Sequence, residues 1–309
     1  MKSIVYHKIK KYDKKYKYDK FLHLDDFKKQ INYFENKYNI INFSKIFDKK
    51  EKFKDNDLFL TFDDGLKIHY QYVYPYLKKK NINGIFYLCT LPFKKKKILT
   101  VHKIHIILSK IKSNLILNYI NKNLSNYLID RTKINLFKKN VYKKQKNLDE
   151  NVKIKKILNY SLKIQYKNSF INRMFKYFFP TLSEINFVKK YYMNEKELKN
   201  LSKNNMILGS HTENHEVLSA ISFEEAKKEI NLSIDYLNQF TNYRTFCYPY
   251  GSKISYNERI KKYLDMKKVS FSVTVTNKNI TNRDLILNRQ ELSRFDCNNF
   301  KYGKIFKKI

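Results

Sequence analysis

The feature that most constrains this chain is a pair of short, almost entirely apolar runs, Leu58–Phe62 and Gly84–Leu88. Neither run alternates with polar residues, so each predicts a β-strand that is buried on both faces. The residues between them, from about 68 to 80, have helical apolar spacing, and Pro75 is expected to kink this helix. A strand, a helix and a second strand in this order predict a parallel sheet covered by helices.

The same alternation continues on both sides of these runs. Ser3–Tyr6 is predicted to be a buried strand, and Leu24–Tyr38 is predicted to be a helix because its apolar residues recur at helical spacing. Two later helices are predicted, one over Glu195–Lys203 capped by Asn194 and one that begins with the capping box Ser222–Glu225. The later predicted strands are Met206–Leu208, Thr245–Tyr248, Val269–Val275 and a last strand that begins with Leu285–Asn288. The sequence therefore predicts an α/β fold.

A long interruption of this alternation extends from about residue 93 to residue 192. The segment is rich in Lys, Asn, Ile and Leu, and it contains one Pro and no Gly. Its apolar residues, such as Ile104 and Leu108, recur at helical spacing. We therefore expect a helical insertion over 93–192 that divides the α/β fold into a first part, 1–92, and a second part, 193–309. The insertion follows the carboxyl end of a predicted strand. We therefore expect it to lie beside the carboxyl ends of the strands, where an active site of such a fold is expected.

The charge of the chain is strongly positive. Sixty-four Lys and Arg against 28 Asp and Glu give a net charge of +36. Lys, Asn, Ile, Tyr and Phe are all abundant while Ala, Gly, Pro and Trp are scarce, which is the pattern that A/T-rich codons produce. The Lys residues are spread along the chain and do not form the basic stripe of a nucleic-acid face, and no nucleic-acid-binding motif is present. We therefore predict no specific nucleic-acid partner. A protein that binds nucleic acid through its positive charge remains the alternative function.

The sequence also favours a cytoplasmic location. No segment approaches the roughly 18 consecutive apolar residues of a membrane span, and the first residues lack the apolar core of a signal peptide. The three cysteines, Cys89, Cys247 and Cys297, show no CxxC spacing and are too few for a disulfide framework, which indicates a reducing compartment. A polybasic surface would still allow peripheral contact with an anionic membrane surface.

Three short polar clusters follow predicted strands. Asp63 and Asp64 come directly after the first apolar run, His211 and His215 follow a later strand, and the turn Tyr248–Gly251 ends the next. Two adjacent carboxylates cannot point the same way, so one can bind a metal while the other remains a base. Two imidazoles four residues apart can close on one ion together with a carboxylate. Each cluster alone is typical of ordinary turns or surface residues, but their joint occurrence at strand ends predicts an active site.

These clusters resemble the polysaccharide deacetylase family, the carbohydrate esterases with a NodB-type domain. The stretches Thr61–Gly65 (TFDDG), His211–His215 (HTENH) and Tyr248–Gly251 (YPYG) match the first three motifs of that family in order. The resemblance covers roughly residues 1–92 and 194–300 and leaves the insertion unmatched. It implies a distorted (β/α) barrel of seven or eight strands that is interrupted by the helical insertion.

The resemblance also implies roles for individual residues. It implies a divalent metal, usually Zn²⁺, that is bound by Asp64, His211 and His215. It implies that Asp63 is the base that deprotonates the attacking water, and that the backbone N–H of Tyr250 helps to stabilise the oxyanion. The chemistry of the donor set agrees, because a metal polarises the acetyl carbonyl and lowers the pKa of water.

Two departures from the family pattern require substitutes. Where the third motif usually has an Arg that orients the base, this chain has Cys247; Arg289 on the last predicted strand is the expected substitute, with Arg244 as the alternative. The usual late His that acts as general acid is also missing, since no His follows His215. Some members carry a Tyr-His at the end of the first strand instead, so we expect His7 to be the general acid, with His69 in reserve.

The sequence therefore predicts a metal-dependent N-deacetylase that acts on an N-acetylated amino sugar in surface-polysaccharide or glycoconjugate synthesis. A cytoplasmic enzyme would act on a nucleotide-linked or lipid-linked sugar, and the basic surface would suit a diphosphate-bearing donor. The alternative within the same fold is a non-catalytic sugar-binding protein. The intact carboxylates and imidazoles of the first two motifs argue against that alternative.

Overall fold

The computed structural model describes residues 1–14, 18–42, 52–130 and 150–305. The chain divides into two compact units. Within the described residues, the first comprises Met1–Tyr12, Phe21–Lys97 and the residues from Ile185 onward, and the second comprises Asp13–Lys20 and Ile98–Glu184. Residues 131–149 of the expected insertion lie outside the described residues, and its boundaries at 93 and 192 remain a prediction.

A parallel sheet forms the centre of the first unit. Its strands are β1 (Lys2–Tyr6), β4 (Asn39–Ile40), β5 (Asp57–Phe62), β6 (Gly84–Leu88), β7 (Ile207–Ser210), β8 (Thr245–Cys247), β9 (Phe271–Val273) and β10 (Phe295–Asp296), while β2 (Ile9–Lys10) and β3 (Leu22–His23) pair separately. The strands of the main sheet follow the order β10-β1-β5-β6-β7-β8-β9, with the short β4 also paired to β5. The pairs of this sheet are parallel throughout the described residues.

One chain segment closes this sheet into a distorted barrel. Leu292 bridges to Val273 of β9 in parallel register, and three residues later Phe295 and Asp296 pair with β1. The two strands at the ends of the order are thereby joined through a single segment. All parallel strands present their carboxyl ends at one side of such a barrel, so the turns after β5, β7 and β8 converge there.

The buried central strands confirm the first inference from the sequence. All six residues of β5 and all five of β6 are buried. Phe62 stacks on Phe86 with ring centroids 4.9 Å apart and on Tyr6 at 5.4 Å. A strand that is buried on both faces does not need the alternation of apolar and polar residues that a half-exposed strand has. This is why the sequences of these two strands are almost entirely apolar.

Helices of the first unit begin largely where the sequence predicts. The capping boxes Asn194–Glu197 and Ser222–Glu225 are both formed. The helix expected over 68–80 is a π-helical turn, His69–Val73, that continues into a helix with Pro75 in its first turn. The helices are α1 (Leu24–Lys37), α2 (Tyr74–Lys79), α3 (Leu91–Lys95), α8 (Glu184–Tyr191, which begins at the boundary of the units), α9 (Glu195–Lys203), α10 (Phe223–Leu237), α11 (Glu258–Met266) and α12 (Asn282–Leu287).

The predicted last strand is wrong. Thr281 caps α12 and Asp284 completes a capping box, so the chain is helical where a strand from Leu285 was expected. The apolar residues that suggested a strand are exposed, with Ile286 at 77%. The true last strand is β10, which begins seven residues after the predicted segment ends. A local N-cap therefore outweighs the β-like composition of this run.

The second unit is helical in its described residues. It contains α4 (Thr100–Lys110), α5 (Ser113–Asn123), α6 (Glu150–Lys156) and α7 (Ile164–Phe178), with a π-helical turn at Ile157–Ser161. Ile104, Ile116 and Phe170 are almost completely buried, as their helical spacing predicts. Across the described part of the chain, no helix combines the length and apolar character needed to cross a membrane.

Candidate metal and catalytic centre

The turns at the carboxyl ends of β5, β7 and β8 share an unusual backbone. Asp64, Thr212, His215 and Tyr250 have φ values of 81°, 67°, 64° and 65°, in the left-handed region that residues other than glycine rarely adopt. Such conformations cost free energy and persist only where surrounding contacts hold them, and they cluster at functional sites. The three predicted clusters are therefore held in strained turns at one end of the barrel.

Glycine is favoured next to the two carboxylates. Gly65 has a φ of 66°, and a Cβ atom placed there would lie 2.9 Å from the Leu88 side chain and 3.2 Å from the Phe93 ring. A larger residue would therefore be strained in its backbone and would require these two side chains to shift. The tight turn reverses the chain at once after β5, so Asp63 and Asp64 face different neighbours.

Asp64, His211 and His215 lie together. The Nε2 atoms of both imidazoles are 3.7 Å from the same oxygen, Oδ1 of Asp64, and all three side chains are buried. One ligand atom from each residue lies within 4.8 Å of the other two. Two imidazoles and one carboxylate are a donor set that suits Zn²⁺ with a position left open. The residues therefore fit the metal that the sequence comparison implies.

The orientation of His211 supports this fit. Its Nδ1 atom lies 2.8 Å from the backbone carbonyl of Cys247, which can only accept, so Nδ1 donates and Nε2 keeps its lone pair toward Asp64. Burial lowers the pKa of His211, and this effect outweighs the opposing influence of Asp63 and Asp64. The ring is thus neutral, as a metal ligand must be.

Asp63 faces a different partner, the guanidinium of Arg294. The Nη1 atom of Arg294 donates to Oδ1 at 2.7 Å and its Nη2 atom donates to Oδ2 at 2.8 Å. Both side chains are at most 2% exposed. The same guanidinium is fixed by Thr61 and by the carbonyl of Thr274. This bidentate pair fixes the plane of the carboxylate.

The ionisation of Asp63 follows from this pair. Burial by itself raises the pKa of a carboxyl group, but Arg294, His211 and His7 together lower the pKa of Asp63 below its usual value. The nearby thiol of Cys247, 3.6 Å from Asp63 Oδ2, has its pKa raised strongly by burial and is protonated. Asp63, His211 and Cys247 also lie within ligand distance of one another, but a protonated thiol and a carboxylate held by Arg294 do not suit a metal.

The expected role of Arg289 needs correction. Arg289 lies at the surface and its guanidinium pairs with Asp265 at 3.0 Å, not with Asp63. Arg244, the alternative, bonds the carbonyl of Lys267. The error follows from the predicted last strand: once that strand begins at Phe295, the arginine that precedes it is Arg294. The capping box Thr281–Asp284 was the signal that could have moved the assignment.

His7 lies beside the Asp63 carboxylate. Its Nε2 atom is 3.8 Å from Oδ2 of Asp63, and its side chain is 52% exposed, so the ring is open to solvent at the site. His69, the reserve candidate, is completely buried, and its Nε2 atom bonds the backbone carbonyl of His7 at 2.6 Å. Burial lowers the pKa of His69 to about 4. Of the two, only His7 is accessible to a substrate, and its role as general acid remains a prediction.

Tyr250 completes the site from the turn after β8. Its ring packs edge-on against His215 with centroids 5.0 Å apart, and the side chain is half-buried. The turn that carries it has positive φ at both Tyr250 and Gly251. The structure thus brings Asp63, Asp64, His211, His215 and Tyr250 to one end of the barrel.

Comparison with protein families gives one match. The sequence model of the polysaccharide deacetylase family matches residues 172–272, about a third of the chain. This stretch contains the loop His211–His215 and the turn Tyr248–Gly251, while the turn Thr61–Gly65 lies before it. A search of curated proteins found no match.

Solved structures share the fold. The Streptococcus pyogenes deacetylase PplD, in complex with acetate, is 14% identical with a TM-score of 0.58, over 96% of this chain and 91% of that one. IcaB from Ammonifex degensii is 12% identical with a TM-score of 0.52, over 95% and 90%. A de-N-acetylase from Aggregatibacter actinomycetemcomitans is 13% identical with a TM-score of 0.52, over 95% and 93%.

These likenesses confirm the predicted fold class, a distorted (β/α) barrel of the NodB type. The family match adds the chemistry that a shared fold cannot supply, because it falls on the second and third motifs. Together with the matching first motif after β5, this match makes the chain similar to the polysaccharide deacetylase family and supports a hydrolytic N-deacetylase.

Proposed function

We propose that the protein hydrolyses the acetamido group of an N-acetylated amino sugar with the help of one divalent metal ion, Zn²⁺ in the first instance. The observation that carries the proposal is the division of labour between two adjacent carboxylates. Asp64 faces His211 and His215, whereas Asp63 is held in a bidentate pair by Arg294. A ligand and a base are thereby provided from one turn.

The chain's own residues can carry the proton transfers of this reaction. Asp63 accepts a proton from the attacking water, whose oxygen bonds to the acetyl carbonyl carbon. The backbone N–H of Tyr250 stabilises the negative charge on the carbonyl oxygen. His7 donates a proton to the nitrogen as the carbon–nitrogen bond breaks, so acetate and the free amine leave. A bound metal would polarise the carbonyl and favour ionisation of the water.

The fixed carboxylate of Asp63 suits this role. Its two oxygens are oriented by Arg294, and its lowered pKa keeps it ionised at neutral pH, so it is ready to accept a proton. Arg294 is a positioning residue in this scheme, and it takes over what Arg289 was expected to do. His7 lies within 3.8 Å of the same carboxylate, close enough for acid and base to act on one substrate.

We further propose that the substrate is a nucleotide-linked or lipid-linked sugar of surface-polysaccharide or glycoconjugate synthesis. The net charge of +36 would attract a diphosphate-bearing donor or an anionic membrane surface. The three free cysteines are buried, which suits a reducing, cytoplasmic compartment.

Metal analysis combined with acetate release tests the proposal. The purified protein should hold about one divalent ion per chain, and should release acetate from at least one of a panel of free, nucleotide-linked and lipid-linked N-acetylhexosamines. Chelation should abolish the release and Zn²⁺ should restore it. His211→Ala should lose both metal and activity, while the matched variant His105→Ala, in the second unit, should keep both.

Two results would contradict the proposal. A protein that binds no divalent ion, or whose His211→Ala variant binds it equally well, lacks the proposed metal site. A protein that binds metal but releases no acetate from any donor is instead the non-catalytic sugar-binding alternative.

A further inference from the structure

The loop that carries both proposed imidazole ligands is strained and needs anchors. Thr212 and His215 have φ values of 67° and 64°. Within the loop, the His215 N–H donates to Thr212 Oγ1 at 2.9 Å. Outside it, the N–H groups of Thr90 and Leu91 donate to the carbonyls of Thr212 and Glu213. These bonds hold the first half of the loop against the start of α3.

Glu229 of α10 anchors the second half of the loop through Asn214. Its Oε2 atom accepts the backbone N–H of Asn214 at 2.8 Å, and its Oε1 atom accepts the side-chain amide of the same Asn214. Asn214 directly precedes His215. A carboxylate on the helix therefore clamps the backbone and the side chain of a residue that lies between the two imidazoles.

Glu229 occupies a position at which packing would favour an apolar residue. It is 8% exposed and lies on the buried face of α10 with Ala226, Ile230 and Ser233. Glu213 and Glu216 are close enough to disfavour its charge further. A buried carboxylate is costly unless it is hydrogen-bonded, and both of its described donors belong to Asn214. The hydrogen bonds to Asn214 of the loop explain why a carboxylate occupies this buried position, whereas packing in the core does not.

We propose that Glu229 is a positioning residue that sets the metal affinity of the site by holding Asn214, and through it the strained His215, against Asp64. This inference rests on the proposed function, because it assumes that His211 and His215 bind the metal. Without the clamp, the loop can relax its left-handed residues and move the Nε2 atom of His215 away from Asp64 Oδ1, now 3.7 Å distant.

The test compares the metal affinity of variants that share one helix. Zn²⁺ and Co²⁺ dissociation constants are measured on the full chain by competition with a chelator, together with the Co²⁺ absorption spectrum, which reports the geometry of the ligands. Glu229→Ala should bind both ions about 10–100-fold more weakly, the usual effect of losing a residue that orients ligands. Glu229→Gln should recover much of this loss, because Gln accepts one bond and a flipped Asn214 amide can accept the other.

Glu225→Ala is the matched control. Glu225 is one turn earlier on α10 and closes its capping box, so its loss lowers the thermal midpoint without touching the loop. Its metal affinity and Co²⁺ spectrum should equal those of the wild type. If Glu229→Ala does not fold, Glu229→Asp keeps the charge but is one methylene too short, and it should bind about 10-fold more weakly.

The outcomes separate this inference from the proposed function. Equal dissociation constants for the Glu229 variants and a metal-binding wild type would overturn the positioning role alone. Weakening of the same size in Glu225→Ala would overturn it as well, because the effect would then follow helix stability. A wild type that binds neither ion would overturn both proposals.

Discussion

The two halves of the site treat neighbouring carboxylates in opposite ways. The base half consists of Asp63, Arg294, Cys247 and His7, and the ligand half consists of Asp64, His211 and His215. In the base half the carboxylate is paired with a guanidinium, with nitrogen–oxygen distances of 2.7 and 2.8 Å. In the ligand half the carboxylate faces two imidazoles, each 3.7 Å away.

The difference shows how one turn can provide two functions. A carboxylate that already shares its charge with a guanidinium is poorly suited to bind a cation, whereas one beside two imidazoles is well suited. The left-handed backbone at Asp64 and Gly65 separates the two side chains. Substitutions in the base half should therefore affect stability and the rate of hydrolysis, whereas substitutions in the ligand half should affect metal binding.

The largest expected effect is on stability, from the base half. Arg294→Met leaves the Asp63 carboxylate buried without its partner, and breaking a buried ion pair from one side costs about 3–5 kcal/mol. Urea unfolding at pH 7 measures this loss of unfolding free energy. The double variant Asp63→Asn with Arg294→Met removes both charges and should be less destabilised than the single variant. A loss below about 1 kcal/mol for Arg294→Met would show that the pair hardly contributes to the fold.

The next effect separates the two carboxylates by the same chemical change. Asp63→Asn should reduce acetate release at least ~10²-fold, the scale of losing a general base, while the metal content stays near one ion per chain. Asp64→Asn should instead lose metal affinity. Acetate assays and metal analysis on the same samples compare them. If the two variants lose metal and activity to the same degree, the division into a base half and a ligand half is wrong.

The next prediction concerns His7, the exposed residue of the base half and the proposed general acid. Its ring is 52% exposed, so His7→Gln should leave folding and metal content unchanged while the rate of amide hydrolysis falls about 10²-fold. An aryl acetate has a leaving group that needs no protonation, so its hydrolysis should fall much less. Loss of equal size on both substrates would remove His7 from the role of general acid.

The smallest expected effect is on the pH dependence of stability and concerns His69. This residue is buried in the core and bonds the backbone carbonyl of His7. Its ring lies among Phe62 and Phe86, and its pKa is lowered to about 4 from an unfolded value near 6.5. The unfolded chain therefore takes up a proton first as the pH falls below 6.5, and stability decreases down to about pH 4. At pH 5 this group should cost about 2 kcal/mol relative to pH 7.5.

His69→Gln isolates that contribution, since Gln can still donate to the His7 carbonyl but does not titrate. Urea unfolding of both metal-free proteins at pH 7.5 and pH 5.0 gives the comparison. The variant should lose about 2 kcal/mol less than the wild type over this interval. Equal losses would show that other groups cause the acid sensitivity.

The ligand half could be predicted in part from the sequence. Asp63 and Asp64 follow a buried strand, and His211 and His215 share one loop after another strand, so their places at strand ends predict that they meet. The resemblance to the polysaccharide deacetylases, and not the spacing, implied that Asp64 is the carboxylate that binds the metal. Glu229 left a weaker signal: an acidic residue on the apolar face of a predicted helix. The sequence contains that charge but does not say what it holds.

The partner of Asp63 could not be predicted in the same way. Asp63 and Arg294 are 231 residues apart, and their pairing depends on the register of the last strand against β1. The last strand was predicted too early because the composition of the residues after Thr281 suggested a strand, whereas Thr281 caps a helix there. Local spacing together with the family resemblance thus indicated which residues could bind a metal. Only tertiary structure decided which arginine holds the base, because distant strands are brought together by packing and not by any short-range pattern.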